Sequence, residues 1–227
     1  YYSSYSDDAG FADYTIYFPV YDTVCELYLG LKKDSEILSA RPYKNEKPVV
    51  FYGSSITQGG CACRTGLAYE SIISRELDTE FINLGFSGSA RGEKPIVDHI
   101  AGLDMSAFVL DYDHNAYDTA LLEATHLPFY RAVREKNPTI PIIIISAPVT
   151  YMDSYWGPRR EIIRKTYEIA LSEGDRNVYF IDGETLFGEH CREECTVDGT
   201  HPNDLGMYRM ACRIGEVLDS ALKNISK

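Results

Sequence analysis

Gly53-Ser54-Ser55-Ile56-Thr57-Gln58-Gly59-Gly60 is the first run in the chain with chemistry in it. A glycine followed by small hydroxyl residues lets a chain turn sharply and present an Oγ, although such runs are also ordinary loops. A phosphate cradle is the rival reading, but the run lacks the lysine of a phosphate loop and does not match G-x-G-x-x-G. Near the other end stands Asp198-Gly199-Thr200-His201-Pro202. A serine nucleophile needs a base, and the base needs an acceptor that fixes its tautomer. Asp198 and His201 could supply both from one tight loop. They could equally be a turn-capping Asp and a surface His. Between the two runs, Leu84-Gly85-Phe86-Ser87-Gly88-Ser89 offers a backbone N–H at Gly88, and Asp111-Tyr112-Asp113-His114-Asn115-Ala116 offers the Asn115 amide. Both are donors suited to a developing oxyanion; a structural glycine turn and an Asx-turn are the plainer alternatives. Each segment is weak by itself.

The elements that must carry these segments give them weight. Short apolar runs at Val49–Tyr52, Phe81–Leu84, Phe108–Leu110, Ile140–Ser146 and Val178–Ile181 read as buried strands. Between and after them lie helical stretches over 66–78, 93–101, 118–136 (with Pro128 expected to disturb it), 158–173 and 203–224. In the last, Met207, Met210, Ala211, Ile214, Val217, Leu218 and Leu222 recur at helical spacing and read as core. Alternating strands and helices imply α/β architecture: a flavodoxin-like three-layer α/β/α fold around a five-stranded parallel sheet. Active sites in such sheets lie beyond the carboxyl ends of the strands. The four chemical segments follow the first, second, third and last strands, so one sheet edge gathers them all.

Ahead of this pattern, residues 14–31 alternate in two runs, Tyr14–Phe18 and Cys25–Leu29, and read as a short N-terminal β appendage, with a polar linker at 32–47. The expected division is 1–47 for strands and linker and 48–227 for the catalytic domain.

Composition narrows the function classes. Of 227 residues, 44% are hydrophobic and 25% charged, and the formal net charge is −12. Such an acidic surface argues against nucleic acid and anionic membrane as partners. No apolar run approaches the roughly 20 residues of a bilayer span. The chain begins at Tyr1 with no visible signal peptide, which suggests a processed or trimmed product; a secreted or periplasmic location is the expectation. Its opening, Tyr1 to Asp8, reads as a frayed edge or the tail of a missing element.

Gly53-Ser54-Ser55-Ile56-Thr57, Asn83–Gly88, Asp113-His114-Asn115 and Asp198-x-x-His201 resemble, in order and spacing, the first, second, third and fifth blocks of the SGNH (GDSL-like) hydrolases. The resemblance covers about residues 48–222. It implies a serine esterase with Ser55, His201 and Asp198 as catalytic residues. Ser55 N–H, Gly88 N–H and Asn115 would form the oxyanion hole, with no metal and no cofactor required. Ser54 replaces the family's usual Asp, and the third block lacks its glycine and its Asp after Asn. Both departures resemble a subgroup with Gly-Ser-Ser-Ile-Thr that often carries an N-terminal β-sandwich, of which residues 14–47 would be a remnant. Hydrolysis of small acyl esters follows, with a carbohydrate O-acetyl ester as the favoured substrate. A lipase-like or thioester hydrolase, or a non-catalytic carbohydrate-binding protein, are the alternatives.

His114, Tyr151, Trp156 and Arg91 are further candidates for substrate contact. Trp156 and Tyr151, with Tyr155, are expected in the loop after strand four, where aromatics could stack on a sugar ring or form a lid. Cys61 and Cys63 follow the nucleophile run, and Cys191 and Cys195 precede the Asp-His run. The shared sheet edge would bring these pairs close, and at least one disulfide is expected there in an exported protein. Their spacing fits zinc knuckles poorly. Cys212 is expected to be buried and inert.

Overall fold

A computed structural model describes residues 10–225. Strand β1 (Asn45–Gly53) pairs in parallel with β2 (Thr79–Gly85) on one side and β3 (Ala107–Asp111) on the other. Strands β4 (Ile142–Ile145) and β5 (Val178–Ile181) continue the sheet in the order β2-β1-β3-β4-β5, every pair parallel. Both faces are covered, so the strands are continuous apolar runs rather than alternating ones. Val50, Tyr52, Phe108, Leu110, Ile142 and Ile144 face a core completed by α3 (Lys94–Ala101), α4 (Thr119–Lys136) and α5 (Trp156–Ser172). Val49, Phe51, Val109, Ile143 and Ile145 face α2 (Tyr69–Leu77) and α6 (Asp204–Ile225). The short helix α1 (Ser55–Gln58) follows β1 directly. This is the expected three-layer sheet. Its order reverses direction between β1 and β3, the place where ligands collect in open α/β sheets.

Three details differ from expectation. Residues 10–44 form neither strand nor helix, so the two short strands expected within 14–31 are absent. Two strands alone are marginal, and this segment is held by side chains instead: Gln58 Nε2 donates to Val20 O at 2.8 Å, and Arg75 to the Tyr17 hydroxyl at 3.0 Å. Helix α4 runs through Pro128 without a break. Cys212 is exposed rather than buried, because the inward stripe of α6 is Met207, Met210, Ala211, Ile214, Leu218 and Ala221. The opening residues 1–8 lie outside the described residues.

Candidate active site

At Gly53, the last residue of β1, a Cβ would lie 2.0 Å from Thr57 Oγ1 and 2.2 Å from Asp111 O, so only glycine permits the turn that follows. Ser54 caps α1, its Oγ accepting the Ile56 N–H at 3.1 Å. Serine and aspartate are both good helix caps, so Ser54 can do the local work of the Asp it replaces. The turn leaves Ser55 as the first residue of α1, 8% exposed.

Ser55 Oγ lies 2.8 Å from His201 Nε2, across 146 residues of sequence. His201 Nδ1 lies 2.7 Å from Asp198 Oδ2. The carboxylate is acceptor-only, so Nδ1 carries the proton and Nε2 is left to accept from the Ser55 hydroxyl. The other Asp198 oxygen accepts the N–H groups of Thr200 at 2.9 Å and His201 at 2.7 Å. These bonds, led by that from the His201 N–H, hold the Asp198 carboxyl down to about 2. Asp198 thus caps its turn and orients the ring at once, and the two readings of this segment do not compete. The His201 side chain is 30% exposed and that of Asp198 49%, so the line runs from a buried serine to an open rim.

The loops after β2 and β3 meet beside this line. Gly88 has φ +67°, a left-handed conformation, on an exposed turn. Ser87 N–H donates to Gln58 Oε1 at 2.8 Å, and Phe86 N–H to Gly53 O at 2.8 Å, which ties the turn to the nucleophile loop. Asn115 Oδ1 accepts the Ala90 N–H at 3.2 Å, which identifies that atom as the oxygen and leaves Nδ2 with no acceptor among the described residues.

The proposed substrate contacts are less uniform. The His114 ring packs on Trp156, with centroids 4.7 Å apart, and its Nε2 is sealed from solvent with no partner among the described residues. Burial, with His201 and Arg159 nearby, pushes His114 down to about 4, so it is neutral. Trp156 begins α5, two residues before the expected start, and is half-buried rather than a free loop aromatic. Tyr151 is 68% exposed. Arg91 donates to Gly88 O at 3.2 Å and sits 5.8 Å from the Tyr117 ring, on the rim of the Gly88 turn. All six cysteines are free. The Cys63 and Cys195 segments do converge on the start of α6, through Cys63 N–H to Asp204 Oδ1 at 2.8 Å and Asn203 N–H to Cys195 O at 2.9 Å. The expected disulfide is not formed: the Cys195 thiol is buried against Arg209 at 3.3 Å, and Cys61, Cys63 and Cys191 are exposed free thiols.

Comparison with known proteins settles the family. The model of the GDSL-like lipase/acylhydrolase family matches residues 46–219. The chain belongs to this family. A structure described as a GDSL-like lipase from Bacteroides ovatus is 34% identical over 81% of the chain, with a TM-score of 0.72. A salicylyl-acyltransferase from a tetracycline biosynthetic pathway matches at 22% identity over 80% of the chain (TM-score 0.66). A family two carbohydrate esterase from Clostridium thermocellum, solved with cellohexaose, matches at 16% identity over 82% (TM-score 0.66). These last two share the fold. The chain covers 55%, 56% and 67% of the three structures respectively. No curated protein matches the chain.

Three supporting residues carry little or no signal in the sequence. Gln58 bridges the Gly88 turn to the N-terminal segment. Asn83 donates to Thr57 O at 2.6 Å and accepts the Gly85 N–H at 2.8 Å, bracing α1 against β2. Both stand inside the chemical segments 53–60 and 83–88, which is their only signal. Arg159 had none, since its partners lie 43 and 46 residues away.

Proposed function

We propose that this chain hydrolyses small acyl esters by a serine mechanism. The observation that carries the reading is the line from Ser55 Oγ through His201 to Asp198, with spacings of 2.8 and 2.7 Å. In this mechanism Ser55 Oγ attacks the ester carbonyl carbon while His201 Nε2 takes the hydroxyl proton, and Asp198 stabilises the imidazolium. The oxyanion accepts from the N–H groups of Ser55 and Gly88 and from Asn115 Nδ2. The tetrahedral intermediate collapses, and the departing alkoxide takes the proton from His201. A water molecule, losing its proton to His201, then attacks the acyl-enzyme; collapse releases the acid and returns the proton to Ser55.

The favoured substrate is an acetyl ester on a carbohydrate. The support is local: Tyr117, Tyr151 and Tyr155 are 66%, 68% and 52% exposed on the loops after β3 and β4, and flat exposed aromatics suit sugar rings. The open rim at Asp198 admits an acyl group borne on a large alcohol.

Turnover of p-nitrophenyl acetate by the wild type and by Ser55→Ala tests the chemistry. The wild type should turn over with a burst, and the variant should fall to background. Equal rates would remove the serine mechanism. Acetate release from acetylated saccharides, set against long-chain nitrophenyl esters, tests the substrate class. A preference for long chains would point to a lipase instead.

A further inference from the structure

A buried ion pair lies beneath the Asn115 turn. Arg159, on the first turn of α5, and Asp113, at the start of the turn, each have side chains only 1% exposed. Arg159 Nε donates to Asp113 Oδ1 at 2.9 Å. Its Nη2 donates to the backbone carbonyl of Asp113 at 2.8 Å and also to that of Ala116. One guanidinium therefore binds the carbonyls at both ends of the Asp113–Ala116 turn, and Asn115 lies between them. Asp113 Oδ2 accepts the Ala147 N–H at 3.0 Å, which fastens the turn to the loop after β4. From the opposite side, the Ala90 N–H holds the Asn115 side-chain oxygen. The outer face of the guanidinium is covered by Tyr155 and Trp156, at 4.9 and 5.7 Å from their ring centroids.

We propose that Arg159 is a positioning residue for acyl transfer: by gripping both carbonyls of the Asp113–Ala116 turn, it fixes where the Asn115 amide donates. The inference rests on the reading of Asn115 as an oxyanion donor. Guanidinium is the group for this because its donors form a rigid planar fork that reaches a carboxylate and two carbonyls together. A lysine ammonium is a point donor on a flexible stem and cannot reproduce that geometry. Stability alone does not require the pair, since well-packed apolar residues often replace buried ion pairs without loss. What apolar residues cannot replace is a donor for two carbonyls. A displaced amide loses most of its value, because oxyanion donors act through preorganised geometry.

The test compares Arg159→Met, Arg159→Lys, Asn115→Ala, the Asn115→Ala/Arg159→Met pair and the Asp113→Asn/Arg159→Met pair, with kcat, KM and Tm measured for each on p-nitrophenyl acetate. Arg159→Met should lower kcat by about 10²-fold, near the loss of one oxyanion donor, with KM changed less than about threefold. Arg159→Lys should recover only part of kcat. Adding Arg159→Met to Asn115→Ala should cost less than about threefold more, because the two act as one unit. Asp113→Asn/Arg159→Met removes the lone buried charge but leaves the two carbonyls unpaired, so it should regain part of the Tm lost in Arg159→Met while kcat stays low. That outcome separates positioning from stability. A kcat near wild type in Arg159→Met, multiplicative losses in the Asn115 pair, or kcat returning together with Tm would each overturn the proposal while leaving the serine mechanism standing. Full activity in Asn115→Ala would instead overturn the oxyanion role of Asn115, and this inference with it.

Discussion

Asp198 accepts three hydrogen bonds, two from backbone N–H groups of its own turn and one from the His201 ring. Asn at this position keeps one oxygen for the backbone, so the turn survives. Its amide cannot accept from Nδ1, and the ring then carries its proton on Nε2, where it cannot take one from Ser55. Asp198→Asn should therefore lower kcat by about 10⁴-fold with little change in Tm. A variant keeping a tenth of the wild-type rate would show that the carboxylate does not set the tautomer. This pair was legible in the sequence because only Gly199 and Thr200 separate its members and the turn is closed by the same carboxylate. Arg159 was illegible for the opposite reason: a buried arginine looks like any surface arginine until the fold brings its acceptors to it.

At the scale of elements, the strands were readable wherever both faces are covered, because burial makes the run continuously apolar. Val49–Tyr52 and Ile142–Ile145 are such runs. The stripe on α6 was readable from its 3.6-residue period, but Cys212 fell one position outside it and is exposed. Residues 14–31 misled for a physical reason. Their alternation is strand-like, yet a strand needs a hydrogen-bonding neighbour, and among the described residues this segment pairs with no strand. The segment instead lies over α1 and α2, with Tyr17 against Gly66 and Val20 near Gly59. Helix α5 starts at Trp156, two residues before the expected 158, and Pro158 falls inside its first turn, where its missing N–H has no partner to lose. That shift matters to function, since it turns Trp156 from a loop aromatic into a side chain packed on His114.

At the scale of the whole molecule, the edge of the sheet that bears the site also buries two carboxyl groups. Asp111, at the end of β3, is 2% exposed and raised to about 8 by burial, with Asp113 adding to the shift. Fully buried Glu70 on α2 is pushed in the same direction by burial. An ordinary aspartate titrates near about 4, so the unfolded chain releases this proton as pH rises past about 4 while the folded chain keeps Asp111 protonated to about 8. The stabilisation is complete below the lower value, declines through the interval and is gone above the higher one. Asp111→Asn stays neutral, so its Tm relative to wild type should rise by about 10–20 °C between pH 4 and pH 8. A constant difference would mean that Asp111 is ionised in the fold. The central claim also belongs to this scale, because folding alone brings Ser55 to a histidine 146 residues away. Its most direct test is reaction with a fluorophosphonate followed by peptide mass mapping. One phosphonyl group per chain, on Ser55 in the wild type and absent from Ser55→Ala, is the expected result; no labelling of the wild type, or a label on another residue, would contradict the account.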